Sequence, residues 1–450
     1  MTRTALVHGI ALAGDALASR LVRRGWRVLV SDDAPNDAKR ALAAGLGTTL
    51  VGCPDVATLT ALVAESDIVC PAPGVPETHP VVVAALASGT PIRTEIDLAY
   101  EWEQERPGGP RPMLAITGTD GKTTTTLLAA HMLEVAGHRP AAVGNTELPL
   151  VAALDDDVDV FVVECSSFRL NWLECFRAEA SVWLNLAPDH QNWHLSMGAY
   201  EAAKARMWAN RRSTDVAIGF ADDERVMRNL RAAGGITRTF AAANADYHVA
   251  GGHLVGPMGV IAPIAGMTRT LPHDITNALA ASALVLETGL ATVAHVADAL
   301  ATFRHPAHRI EPLGEIAGVQ WFNDSKATSP HAALTALRGF ERVVLLAGGR
   351  NKGLDLASLA TEHARVKAVI GLGESAAEIT AAFAAYCPVE SATSMAHAVQ
   401  RAAALAQPGD VVLLSPACAS FDWYPDGGYP ARGNDFKQLV ASLREKVGAS

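Results

Sequence analysis

The segment Thr117-Gly118-Thr119-Asp120-Gly121-Lys122-Thr123-Thr124 sets two glycines, a lysine and hydroxyls between an apolar run, Met113 to Ile116, and a helix-forming stretch that ends near Gly137. Glycines let backbone amides curl around phosphate oxygens, and the start of a helix adds partial positive charge. A lysine in the place of Lys122 reaches the outer phosphates of a nucleoside triphosphate, and a hydroxyl in the place of Thr123 reaches a magnesium ion. The strict phosphate-loop pattern is not met, because Ile116 stands where its first glycine belongs. The competing reading is a glycine turn that only starts a helix. The order strand, loop, Gly-Lys-Thr, helix favours phosphate binding.

Two later stretches supply ligands for a hard cation. Val160 to Cys165 reads as a strand that delivers Glu164 at its end, followed by Ser166-Ser167-Phe168. Ligands in open α/β sheets gather beyond the carboxyl ends of strands, so Glu164 lands beside the phosphate loop if the two strands are neighbours. Mg²⁺ prefers one or two carboxylates together with phosphate oxygens and water. The other stretch is Leu184-Asn185-Leu186-Ala187-Pro188-Asp189-His190, again past an apolar run. His190 and His194 have a spacing that on a helix could bind zinc, but no Glu completes a protease motif. Lys204, in Tyr200-Glu201-Ala202-Ala203-Lys204, reads as a lysine on a helix surface.

The elements that must position these groups fall into three blocks. With 450 residues, 49 % of them hydrophobic and 19 % charged, the chain is long enough for about three globular domains. The first block alternates strand and helix: Ala5 to Val7, Ala16 to Arg24, Val28 to Val30, Ile68 to Cys70. That rhythm implies a parallel sheet. Arg106 to Pro112, rich in Pro and Gly, is the clearest break. The third block starts near His305-Pro306, with strands at Val343 to Leu346, Val369 to Ile370 and Val411 to Leu414. The expected division is 1–108, 109–303 and 304–450.

A net charge of -10 without a basic stripe argues against a nucleic-acid partner. Six scattered cysteines, none in a CxxC pair, read as reduced thiols. No apolar run approaches the ~20 residues of a membrane span, and no signal-peptide pattern opens the chain. A cytoplasmic monomer is expected.

The phosphate loop, the stretch Glu164-Cys165-Ser166-Ser167-Phe168 and Asn185 to His190 resemble the Mur ligases of peptidoglycan synthesis. His308-Arg309-Ile310-Glu311, Asn323-Asp324-Ser325-Lys326-Ala327-Thr328 and Ser415-Pro416-Ala417-Cys418-Ala419-Ser420 make the likeness closer, in the family's order along nearly the whole chain. The resemblance implies an α/β protein of three domains: a Rossmann-like UDP-binding domain, a central P-loop ATPase-like domain and a C-terminal dinucleotide-fold-like domain. It implies an ATP-dependent ligase that uses Mg²⁺ and joins glutamate to UDP-N-acetylmuramoyl-L-alanine. Lys122, His190 and Lys204 would then be catalytic. Lys204 would carry a carbamate and bind metal with Thr123, Glu164 and His190. ATP would lie on Gly118 to Thr124, Asn277, Arg309 and Asp324. The nucleotide-linked acceptor would touch Leu12, Ala13, Asp32, Ala72 to Gly74, Asn145 and Ser166. The amino acid would meet Lys326, Thr328, Lys352, Ser420 and Tyr429.

The sequence also departs from the family. The turn Gly9-Ile10-Ala11-Leu12-Ala13-Gly14 lacks one glycine and a hydroxyl at Ala13, and Ala72 replaces a usual serine. Gln191-Asn192 replaces a common Leu-Asp or Met-Asp pair, and Asp274 a usual asparagine. The loop Ser420 to Arg432 is longer than usual, with Tyr429 where phenylalanine is common. That loop faces the incoming amino acid, so L-glutamate stands as an alternative to D-glutamate. A folylpolyglutamate synthetase would share the ATP chemistry but has no need of the first block. A degenerate nucleotide- or UDP-sugar-binding regulatory module need not keep Lys122, Thr123, Glu164, His190 and Lys204 together. A nicotinamide dehydrogenase would need the missing middle glycine.

Overall fold

The computed structural model describes residues 2–191 and 193–448, so Asn192 lies outside the described residues. The chain forms two compact units, residues 1–270 with 274–303 and residues 271–273 with 304–450. The α/β class expected from the sequence is observed, in three sheets.

The first unit holds two of them. The smaller sheet runs Leu50–Gly52, Arg27–Asp32, Thr4–His8, Ile68–Pro71, all parallel. The helix Leu12–Arg23 follows its opening strand so closely that a Cβ at Gly14 would stand 2.0 Å from the Gly9 carbonyl oxygen. Glycine at position 14 therefore fixes how near the helix packs to the strand.

The larger sheet has nine strands. From one edge they are Pro140–Gly144, Val160–Glu164, Met113–Thr117, Ala180–Trp183, Val216–Phe220, Ile236–Ala241, Tyr247–Ala250, His253–Gly256 and Gly259–Pro263. Only the last two pairings are antiparallel. Met113–Thr117 and Val160–Glu164 are buried along their whole length, as strands covered by helices on both faces must be. The helices Lys122–Val135 and Pro272–Leu286 contribute Leu128, Met132, Leu279 and Leu284 to that core.

The break at Arg106 to Pro112 lies inside the first unit. Arg111 is buried there, its Nε and Nη2 each donating to Glu103 at 2.8 Å, with a further bond from Nη2 to the Leu154 carbonyl at 2.8 Å. The segment carries no regular structure, yet it is pinned by a paired and fully hydrogen-bonded charge.

In the second unit the order is Glu311–Ile316, Val319–Asn323, Val411–Leu414, Val343–Gly348, Val366–Leu372, Val389–Ser391. The first pair forms an antiparallel hairpin at the edge, and the other pairings are parallel. Among the described residues no helix is long and apolar enough to cross a membrane.

Candidate active site

Parallel register brings the chemistry of the first unit to one edge. Ile116 pairs with Glu164, Thr117 with Trp183, and Gly144 with Glu164. The carboxyl ends of four adjacent strands thus deliver Asn145, Glu164, the loop Gly118 to Gly121 and Asn185 side by side. The neighbour relation that the sequence left conditional is present.

Gly121 caps the helix Lys122–Val135 in a left-handed conformation, φ 82°, and a Cβ there would meet Asn277 Oδ1 at 2.7 Å. Asn277 Oδ1 also accepts from the Thr125 hydroxyl at 3.3 Å, which sets Asn277 against the loop. Lys122 folds back, its Nζ donating to the carbonyls of Gly118 at 3.0 Å and Thr119 at 2.7 Å. The first amides of this helix have no carbonyl one turn back to bond to.

Two loop residues have another use. Asn185 Oδ1 accepts from the amides of both Thr119 and Asp120 at 2.9 Å, and its Nδ2 donates to the Asp120 carbonyl at 3.2 Å. The Thr119 hydroxyl accepts from the Ala187 amide and shares a 3.2 Å bond with Tyr200 Oη. Asn185 is therefore a clamp on the loop. Sequence reasoning passed over this role, because a single asparagine after a strand gives no sign of it. Asn185→Ala should leave the Asp120 amide without its partner, cost about 1–3 kcal/mol of stability and raise KM for ATP. Urea unfolding and initial rates against ATP concentration check this; an unchanged KM would count against the clamp.

Lys204 corrects the sequence reading. It is 1 % exposed rather than on a helix surface. Its Nζ donates to the Gly118 carbonyl at 2.7 Å and lies 4.5 Å from the centre of the Tyr200 ring. Burial, and then the charge of Lys122, hold its amine well below the usual lysine range. A neutral amine is a nucleophile, and an amine that adds CO₂ becomes an anionic oxygen ligand.

Glu164 is also 1 % exposed. Its Oε1 accepts from Asn145 Nδ2 at 2.9 Å, while its Oε2 has no hydrogen-bond partner. A buried carboxylate oxygen left in that state is costly. A cation beside it would remove the cost, so the donor set fits Mg²⁺. The far end of Asn145 accepts from Arg169 Nη1 at 2.8 Å, and Arg169 Nε reaches Glu95 at 3.1 Å. Burial pushes the Glu95 carboxyl up, and Arg169 opposes that shift. Glu95 and Arg169 were not singled out in the sequence. They sit far apart in it and belong to no phosphate-loop pattern.

The spacing of His190 and His194 does not produce a zinc pair. The described residues of this segment are not helical, and His190 takes φ 56°. His194 has both ring nitrogens engaged, Nδ1 with Glu77 at 3.0 Å and Nε2 with the Ser167 hydroxyl at 2.9 Å. His190 instead packs edge-on to Phe168, with ring centres 4.6 Å apart, and is partly exposed. Ser166 caps the short helix Ser167–Leu170.

A narrow cleft opens between the two sheets of this unit, lined by Ala13, Pro73, Glu95, Phe168, Arg169 and Trp193 among others. Trp193 Nε1 donates to the Pro73 carbonyl at 3.0 Å and closes one side. Leu12 stands exposed beside it. Asp32 is more enclosed than a ligand-facing carboxylate would be: it accepts from the Ile10 and Ala34 amides and from Lys39 Nζ at 2.7 Å.

In the second unit, Lys326 Nζ lies 5.2 Å from the centre of the Tyr429 ring, and Lys352 Nζ reaches the Thr328 hydroxyl at 3.5 Å. Ser420 is buried with its Oγ unpaired. Asp324 Oδ2 accepts from the Ser415 hydroxyl at 2.7 Å, and Arg309 precedes the edge hairpin. His308 and Ala417 adopt φ 61° and 60°, which non-glycine residues take only where surrounding structure insists. Arg432, given no role by the sequence, holds the backbone next to Ala417. Buried, it donates to Ser325 Oγ at 2.9 Å and to the carbonyls of Ser325 and Cys418, tying two of these loops together. Desolvation draws its guanidinium down to about 10.

Comparison with known proteins defines the class. The Mur ligase middle domain matches residues 116–285, and the Mur ligase glutamate ligase domain matches residues 308–418. The chain belongs to the Mur ligase family. Within it, the chain is 40 % identical to the UDP-N-acetylmuramoylalanine--D-glutamate ligase of Frankia casuarinae, over 98 % of this chain and 94 % of that one. It is 36 % identical to the protein of that name from Pelotomaculum thermopropionicum, over 98 % of each. Among solved structures, a pseudomurein peptide ligase type C from Methanothermus fervidus shares the fold, with a TM-score of 0.61 at 16 % identity, covering 98 % of this chain and 100 % of that one. MurF from Thermotoga maritima in complex with ADP does so with a TM-score of 0.60 at 15 % identity, covering 81 % and 91 %.

Proposed function

We propose that this protein is an ADP-forming ligase that adds D-glutamate to UDP-N-acetylmuramoyl-L-alanine in peptidoglycan precursor synthesis. The observation that carries the reading is the juxtaposition beside the phosphate loop of a buried lysine, its nitrogen on the Gly118 carbonyl, and a buried carboxylate oxygen with no partner. Full-length identity to D-glutamate ligases selects the substrates. The division into domains 1–108, 109–303 and 304–450, cytoplasmic location and a monomeric state belong to the same proposal.

The chemistry asks for positioning and charge compensation more than for acids and bases. A carboxylate is a poor acyl donor, because oxide would have to leave. Transfer of the ATP γ-phosphoryl group to it gives an acyl phosphate with phosphate as leaving group. The glutamate amine then attacks the carbonyl, a tetrahedral intermediate forms and phosphate departs. Lys122 and the amides heading its helix hold the ATP phosphates. The cleft between the two sheets receives the UDP-linked acceptor, which Asn145, bonded to the lining residue Arg169, and Ser166 would also contact. Thr123, Glu164, His190 and carbamylated Lys204 would hold Mg²⁺, which supplies positive charge against the phosphoryl oxygens. Lys326, Thr328, Lys352, Ser420 and Tyr429 receive the amino acid, and the unpaired Ser420 hydroxyl is suited to one of its carboxylates.

The test is phosphate release with ATP, Mg²⁺ and UDP-N-acetylmuramoyl-L-alanine, run in parallel with D- and L-glutamate. Release with D-glutamate alone is the expected result. Release with L-glutamate alone would keep the mechanism and change the substrate, and the lengthened loop Ser420 to Arg432 would be the first place to look. No release with either would leave a nucleotide-binding module.

A further inference from the structure

At the carboxyl edge of the first sheet, apart from the residues assigned to Mg²⁺, His8, Asp33 and His79 converge. Their candidate ligand atoms all lie within 4.8 Å of one another. Asp33 Oδ2 stands 2.9 Å from His79 Nε2 and 3.4 Å from His8 Nε2. A tetrahedral zinc ion with bonds of about 2.0–2.1 Å separates neighbouring ligand atoms by about 3.3 Å. Two of the three separations are therefore near the spacing a metal would impose, and the third is within 4.8 Å.

We propose that His8, Asp33 and His79 form a binding site for a zinc-class divalent cation, with the fourth position open to water. Two imidazoles and one carboxylate suit zinc, cobalt or nickel, whereas Mg²⁺ prefers oxygen ligands throughout. The site is built to different degrees at its three corners. The His8 side chain is 1 % exposed, and its Nδ1 stands 2.8 Å from the Ser31 hydroxyl. That hydroxyl can accept the Nδ1 proton and leave the Nε2 lone pair for a metal, as an outer partner of a ligating histidine does. Asp33, 55 % exposed, provides the entry path.

His79 is the weaker corner. Its Nδ1 accepts the Val81 amide at 3.2 Å and so caps the helix Pro80–Ser88. Ligation through Nε2 requires a proton on Nδ1 and gives up that one cap. Without metal, protons on the two Nε2 atoms fill the same space by donating to Asp33. A metal replaces them, and each ring's proton moves to its Nδ1.

The test uses the full chain, stripped with a chelator and titrated with Zn²⁺ by calorimetry in excess Mg²⁺. One equivalent is expected to bind. Asp33→Asn and His79→Asn should each weaken it at least tenfold, and the double variant should abolish it. His79→Asn keeps a good helix cap, and thermal unfolding verifies that the variants remain folded. Co²⁺ gives a second readout: a four-coordinate visible spectrum in the wild type, lost in His79→Asn. Absence of a one-equivalent event, or equal isotherms in wild type and variants, overturns the proposal. So does a thiolate charge-transfer band, which would place the metal on a cysteine.

Discussion

Lys204→Ala is expected to reduce ligase turnover on the order of 10²- to 10³-fold while leaving the protein folded. The side chain lies buried with its nitrogen 2.7 Å from the Gly118 carbonyl, at the base of the phosphate loop. Burial and then the charge of Lys122 push its amine well below the usual lysine range, against the opposing pull of Asp189 and Asp120. Neutrality is what reaction with CO₂ requires: the amine nitrogen attacks carbon, a proton leaves, and a cation becomes a carboxylate-like anion. The variant removes that anion and leaves a small cavity. Added formate or acetate should restore part of the rate by occupying it, and Lys204→Met should lose the rate without opening as much space for rescue. Phosphate release with and without short carboxylates measures both effects. A wild-type rate in Lys204→Ala would remove the residue from the site. Loss with no rescue by any small carboxylate would favour a role as amine over a role as carbamate.

Lys204 also marks where sequence reading stops. A lysine at a helical position among Ala and Glu looks solvated, and only packing shows that the helix Met197–Ala205 turns that face inward. The phosphate loop was legible because its function needs glycines and a lysine in consecutive positions. Glu164 was legible because strand ends in parallel sheets deliver ligands. Asn185, Arg169, Glu95 and Arg432 were not. Their roles depend on pairs 65 to 107 residues apart, such as Asn185 with Asp120 and Arg432 with Ser325. Such pairs exist only once the sheets have brought loops together. The His190 and His194 spacing misled for a related reason: a four-residue interval carries meaning on a helix, and the described residues of this segment are not helical. Strand positions survived better, since runs such as Val411 to Leu414 bury both faces and need no partner to be recognised.

Glu164→Gln should be nearly as damaging to turnover as loss of Lys204, with little change in fold. The amide is isosteric with the carboxyl, and its oxygen can keep the bond from Asn145 Nδ2. The cost to stability should therefore stay within about 1–2 kcal/mol. What disappears is the negative charge on an oxygen that no protein donor satisfies. In its place stands an NH₂ group, which repels a cation and finds no acceptor of its own in the pocket. Two signatures should follow together: kcat lower on the order of 10²-fold, and a higher Mg²⁺ concentration for half-maximal rate. Glu164→Asp, which keeps the charge but withdraws it by one methylene, should fall between wild type and Glu164→Gln in both. Phosphate-release rates across a Mg²⁺ titration separate the alternatives. A variant slow at every Mg²⁺ concentration with an unshifted midpoint would mean that Glu164 acts on substrate rather than metal. An unchanged rate would mean that its unpaired oxygen has no part in the reaction.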